Sequence, residues 1–303
     1  MTSQPGANPL TASRFPRITM VTPALSSDLW LEATLRSVVY QDYPHLEYIV
    51  IEDGASAERR RILEKYQSQL SWQTCPPGTE LCAALNMAFL KSSGEILGWL
   101  EPGEMLHTNG LAVIGGVFRA LPDVQWITGR PFNFTPSGMP TGIKHLERWS
   151  RIRFLAGGNK YIHRETTFWR RGLWERAGGA LATEYGVAGE FDLFMRFFRH
   201  ARLYSVDALI GGYRTHPGNH SATGTHRQYN QICDEIADRE LSGVSGAYGA
   251  KLFRRLTRIV EQIPRMRRWW HKTALQSLYR CPGWDWHPRI VSRRDKWVLE
   301  SEK

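Results

Sequence analysis

Between residues 18 and 128 short apolar runs alternate with amphipathic stretches, and this rhythm limits the possible folds more than any other feature of the chain. The runs at 18–22, 47–51, 71–74, 96–100 and 124–128 read as strands, most of them stopped by Pro, Gly or acidic residues. The stretches at 29–40, 57–66, 81–91 and 111–121 read as helices. Strands separated by helices predict an α/β fold, with a mainly parallel central sheet flanked by helices on both faces. Ligands of such sheets bind beyond the carboxyl ends of the strands. That rule gathers Thr22 and Pro23, then Asp53 and Gly54, then Glu101, Pro102, Gly103 and Glu104 on one rim. Taken singly, each of these is also an ordinary turn.

With 303 residues and 42% apolar content the chain can bury a sizeable core. Residues 1–14 are polar, lack the basic start and apolar centre of a signal peptide, and are expected to form a disordered tail. No run reaches about 18 consecutive apolar residues, so no bilayer span is expected. A cytoplasmic location follows, with peripheral attachment at the inner membrane face. The formal net charge of +10 points to anionic partners: a nucleotide diphosphate or an acidic membrane surface. Nucleic acid ranks behind them, because no binding module is recognisable. Cys75, Cys82, Cys233 and Cys281 show neither zinc nor disulfide-framework spacing and are expected to be reduced.

The main unit is expected over residues 15–225. After Gly129 the strand rhythm fades, and residues 130–160 read as loops over the crevice. Residues 226–303 read as a basic helical extension. There Leu252, Leu256, Ile259 and Ile263 recur at helical spacing among Lys251, Arg254, Arg255, Arg258, Arg265, Arg267 and Arg268, followed by Trp269 and Trp270. Such a stripe suits a helix lying in the headgroup region of an anionic membrane, or one packed on the main unit with a solvated basic face.

Residues 188–196 set Glu190 and Asp192 among Phe191, Leu193 and Phe194. A carboxylate that loses hydration becomes a better proton acceptor, which suits a general base. Alternatively, Asp192 pairs with Arg196 one helical turn on, and Glu190 serves the helix start. Trp169 and Trp174 offer flat faces to a sugar ring or fill the core. Arg214 and His216 close a run at 207–213 with a cation and an imidazole suited to a diphosphate or a metal.

Taken in order, these segments resemble the family 2 glycosyltransferases, which use the GT-A fold, over residues 17–221. Asp53, Gly54, Ala55 and Ser56 resemble an Asp-Gly-Gly-Ser turn, and residues 84–89 an Ala-Ile-Asn-Lys-Gly-Phe helix. Residues 94–100 match Gly-Glu-Ile-Leu-Gly-Trp-Leu throughout, residues 167–171 match Thr-Phe-Trp-Arg-Arg, and residues 188–194 resemble Ala-Gly-Asp-Phe-Glu-Leu-Trp. The resemblance implies a GT-A, Rossmann-like unit with a C-terminal helical extension. It implies an inverting transfer of a sugar from a nucleotide-sugar donor to a carbohydrate or lipid-linked acceptor, in bacterial cell-surface polysaccharide or glycolipid synthesis.

Residue by residue, the resemblance puts Thr22, Pro23, Asp53 and Asn86 at the nucleotide and Glu190 at the base, with Asp192 as the alternative. Glu104 and Glu101, joined by His216, would hold Mg or Mn, which offsets the charge of the leaving diphosphate. Glu165, Trp169 and Arg214 are placed as acceptor or diphosphate contacts. The chain also departs from the pattern. Relatives read Asn-Ser-Asp-Asp where Glu101, Pro102, Gly103 and Glu104 stand, and Asp where Glu190 stands. These departures motivate a second reading from another class, a catalytically degenerate relative acting as a binding or scaffolding partner.

Overall fold

Four strands, β1 (Ile18–Ala24), β2 (Leu46–Glu52), β3 (Ser71–Thr74) and β4 (Ile96–Trp99), alternate with helices α1 (Leu31–Val39), α2 (Ala57–Lys65) and α3 (Leu81–Lys91), as the spacing predicts. They pair in parallel, with β1 between β2 and β4. Every residue of β1 is buried, which a strand covered on both faces requires. The computed structural model describes residues 15–25, 28–155, 161–215, 225–242, 248–261, 263 and 287–300. The tail expected at 1–14, His216, Cys281 and residues 264–286 lie outside the described residues.

Further along come β5 (Glu104–Leu106), α4 (Gly110–Ala120), β6 (Trp126–Phe134), β7 (Pro140–Ile143), α5 (Arg151–Leu155), β8 (Thr167–Arg170), α6 (Arg171–Arg176), α7 (Gly189–His200), β9 (Leu203–Arg214), α8 (Thr225–Ser242), α9 (Tyr248–Glu261), β10 (Arg289–Arg293) and β11 (Lys296–Leu299). The sheet order is β11-β10-β9-β6-β8-β4-β1-β2-β3, with β5 on β9 and β7 on β6. β8 enters antiparallel between β4 and β6 and carries the 167–171 motif into the middle of the sheet.

Two expectations are corrected. Residues 130–160 are not all loop, because β6 runs on to Phe134 and pairs with β7. Nor is the region after 226 purely helical: β10 pairs with β9 in parallel and folds back on β11, extending the sheet. A lone strand without a preceding rhythm leaves little periodic signal, and here it is fixed by pairing across the chain.

Side chains alternate between two cores, as a period of two demands. Met20, Val50 and Ile96 face α1, α2 and α4, whereas Val21, Ile51, Leu97 and Trp99 face the side of α3, α6 and α7. Trp169 lies at the centre of the second core, 5.4 Å from Trp99 and 5.5 Å from Phe197 between ring centroids. Fully buried aromatics of this size each contribute on the order of 2–3 kcal/mol. The core therefore holds the carboxyl ends of β1 and β4 rigidly beside α7.

Candidate active site

Where β4 ends, Glu101, Pro102, Gly103 and Glu104 turn back over the sheet rim. Gly103 adopts φ +101°, a conformation that a side chain would strain. Thr34 of α1 pins the turn: its hydroxyl accepts from the Gly103 amide at 3.0 Å and donates to the Glu104 carbonyl at 2.7 Å. The Glu101 amide donates to Glu104 Oε2 at 2.8 Å, closing the turn on its own acid.

Opposite this turn, a single 3-10 turn over Arg164–Thr166 presents Arg164. Its guanidinium joins three carboxylates. Nε donates to Glu104 Oε1 at 3.0 Å, Nη2 lies 3.1 Å from Glu101 Oε1, and Nη1 donates to Glu190 Oε2 at 3.3 Å. Glu190 itself stands in the first turn of α7, where the helix dipole favours an acid. Gly211 of β9 makes room for the Arg164 turn, since a Cβ there would lie 2.2 Å from the Glu165 carbonyl oxygen.

Burial is the largest influence on Glu104 and raises its pKa, with Arg164 pulling the other way and Glu101 and Glu165 adding to the rise. Glu190 is raised for the same leading reason, again against Arg164. Burial also works against the charge of Arg164, but Glu101, Glu104 and Glu190 outweigh it and hold the guanidinium well above its ordinary value. Glu165 goes the other way. Burial would raise it, yet the His163 imidazole, with Nδ1 3.0 Å from Oε1, and its own backbone amide bring it below the usual carboxylate range. His163 in turn stacks on Tyr213 with ring centroids 5.9 Å apart.

These groups line one cavity of about 1360 Å³, large enough for a nucleotide sugar together with part of an acceptor. Pro23, Glu101, Glu104, Glu165, Glu190 and Arg214 all reach it, so six of the residues named from sequence meet in one place. Its lining holds six carboxylates against Lys144, Arg164 and Arg214, so the net positive charge of the chain is not concentrated here.

The other expected residues among those described do not line this cavity. Thr22 is fully buried, with its hydroxyl 2.8 Å from that of Tyr48. Asp53 follows β2 at the same rim, and its carboxylate is engaged by Arg59 and the Ala55 amide. Asn86 is a fastening between α3 and the 181 loop: its amide donates to the Leu181 carbonyl at 2.9 Å and its oxygen accepts from the Leu181 amide at 2.8 Å. Trp169 is core, not a sugar platform. Asp192 accepts from Arg196 at 2.8 Å and lies 3.4 Å from Arg239, the ion pair that its helical spacing allows.

Arg164 is the residue missed from sequence. It sits 60 positions from Glu104 and 26 from Glu190, and no spacing rule links such separations.

The expected metal site does not fit the residues present. Both oxygens of Glu104 are already committed, to Arg164 and to the Glu101 amide. Among the described residues no group of three His, Cys, Asp or Glu is arranged to hold a metal ion. A hard cation needs several oxygen ligands converging on one point. Here a guanidinium stands at that point.

Residues 19–102 match the model of the family described as glycosyl transferase family 2, a span that runs from β1 to the acidic turn. That segment is similar to family 2. The described residues have the GT-A fold. The chain is similar to the crystal structure of S. aureus TarS at 16% identity and a TM-score of 0.56, over 76% of this chain and 44% of that one. The chain thus spans less than half of that TarS chain. S. aureus TarS 1-349 in complex with UDP-GlcNAc aligns at 14% identity and a TM-score of 0.60, over 76% of this chain and 67% of that one. The mannosyltransferase PcManGT from Pyrobaculum calidifontis, in complex with GDP-Man and Mn2+, aligns at 15% identity and a TM-score of 0.50, over 88% and 85%. No curated protein sequence gives a match.

Proposed function

We propose that the chain is a nucleotide-sugar glycosyltransferase in which Glu190 is the general base. The observation that carries this reading is the meeting of Glu190 and Glu104, 86 positions apart in sequence, around one guanidinium at the rim where the family 2 segment ends. The nucleotide would enter past Pro23 and Trp30, and the sugar would rest between the acidic turn and the start of α7. Glu190 takes the proton of the acceptor hydroxyl as that oxygen attacks the anomeric carbon from the face opposite the diphosphate, giving inversion. Tyr161 and Tyr229, stacked with centroids 5.4 Å apart beside the cavity, give the acceptor an amphipathic wall. A carbohydrate or lipid-linked acceptor of a cell-surface polymer suits such a wall.

Attachment to an anionic membrane surface fits the same reading. Arg254 of α9 turns inward, 2.7 Å from both Asp234 and Asp238 of α8, instead of adding to an outer basic face. Leu252, Leu256, Ile259 and Ile263 are left outward at 60, 41, 53 and 42% exposure, beside exposed Lys251 and Arg255. An apolar stripe flanked by cations matches the boundary between headgroups and acyl chains. No helix among the described residues is long and apolar enough to cross a membrane.

The test is a panel of UDP and GDP sugars, with binding read by calorimetry and transfer or donor hydrolysis read by nucleotide release. One donor is expected to bind and turn over; a chain that binds none of them refutes the reading. For the membrane part, the full chain is expected to pellet with phosphatidylglycerol vesicles in low salt, and Leu256→Glu with Ile259→Glu to abolish pelleting. Equal pelleting of the double variant would remove α9 from the contact.

A further inference from the structure

At the acidic turn the positive charge that the resemblance assigns to a metal is already supplied by a side chain. Arg164 contacts Glu101, Glu104 and Glu190 at 3.1, 2.9 and 3.3 Å. The Glu104 oxygen that Arg164 does not hold is closed off by the Glu101 amide. Thr34 holds the turn's backbone on both sides of Glu104, at the Gly103 amide and the Glu104 carbonyl, so the turn stays presented to Arg164. Gly211 admits the Arg164 turn at a separation that any side chain would close.

We infer that Arg164 takes the place of the divalent cation, so that this chain binds its nucleotide without metal and meets the diphosphate with fixed side chains. The inference deepens the glycosyltransferase reading and rests on it. A guanidinium stays protonated throughout the working range, and its five N–H groups fit both carboxylates and phosphates. Three acids on one Arg leave an excess of negative charge. Lys144 and Arg214 line the same cavity and add positive charge for the phosphates.

Two titrations on the full chain decide the matter. In the first, Mn2+ alone is added without nucleotide, and free Mn2+ is followed by electron paramagnetic resonance. The wild type should leave Mn2+ free, whereas Arg164→Ala, which releases the three acids, should take up one equivalent. In the second, UDP and GDP are titrated by calorimetry in EDTA and again in Mn2+. Wild-type affinity should agree between the two buffers within about twofold, while Arg164→Ala should bind about tenfold more weakly in EDTA and recover in Mn2+. Arg164→Lys keeps a cation and should stay metal-independent, which separates loss of charge from loss of fold; circular dichroism checks each variant.

Stoichiometric Mn2+ uptake by the wild type overturns the inference, as does nucleotide affinity about tenfold tighter in Mn2+ than in EDTA. A folded Arg164→Ala that takes up no Mn2+ overturns it too. If neither nucleotide binds in either buffer, the glycosyltransferase reading fails, and the Mn2+ titration still decides whether Arg164 fills a cation's place.

Discussion

Glu190→Gln separates proton transfer from everything else that Glu190 does. Gln keeps the volume, and its carbonyl can still accept from Arg164 Nη1, which lies 3.3 Å from Glu190 Oε2. The cavity should therefore keep its shape while losing its proton acceptor. A positioned base contributes about 10²–10⁴ in rate, or roughly 3–5.5 kcal/mol of barrier at about 1.4 kcal/mol per tenfold. The expected result is a loss of that size in kcat with donor affinity nearly unchanged.

Stability should move the other way. Burial, with Glu101 and Glu165, raises the native pKa of Glu190 against Arg164, so folding disfavours its ionised form. Above an unfolded-state value of about 4.3, the native chain keeps a proton that the unfolded chain has released, and stability falls as pH rises towards the native pKa. A neutral Gln removes that slope, so its Tm near neutral pH should equal or exceed that of the wild type. Wild-type kcat/KM should climb through the same window, because only ionised Glu190 accepts a proton. The assay is nucleotide release between pH 4.5 and 9, with donor affinity by calorimetry and Tm alongside. A variant whose kcat stays within about threefold of the wild type, or whose loss is matched by lost donor affinity, refutes Glu190 as base.

Three further outcomes follow from the same contacts. Asp192→Ala removes the carboxylate that Arg196 and Arg239 share, while Arg196 keeps the Ala177 and Ala180 carbonyls, and should cost about 1–3 kcal/mol in urea unfolding with donor affinity kept in the folded fraction; a cost under about 0.5 kcal/mol would deny the pair its structural weight. Asn86→Ala breaks both hydrogen bonds to Leu181 and should lower stability by about 1–3 kcal/mol without changing nucleotide affinity, whereas a large affinity loss would return Asn86 to the nucleotide site. Gly211→Ala drives a Cβ towards the Glu165 carbonyl and should cost about 1–3 kcal/mol while raising KM for the donor, since the displaced turn carries Arg164; unchanged kinetics would mean that the turn has slack.

The sequence by itself determined the first half of the sheet. β3 and α3 fall where the apolar periodicity puts them, and β1, β2 and β4 within a residue or two, because local patterning dictates strands and helices that carry their own buried faces. It also named Glu101, Glu104 and Glu190 through motif order, and it offered the Asp192–Arg196 pair through helical spacing. Only the tertiary structure decided that β6 continues past Gly129 and that β10 and β11 extend the sheet, since cross-chain pairing sets those strands. It alone moved Asn86 and Trp169 into structural roles, and it alone brought Arg164 between three acids from distant parts of the chain. Residue type and spacing encode what a segment does with its neighbours in sequence, whereas an ion cluster is created by which segments the fold makes neighbours in space.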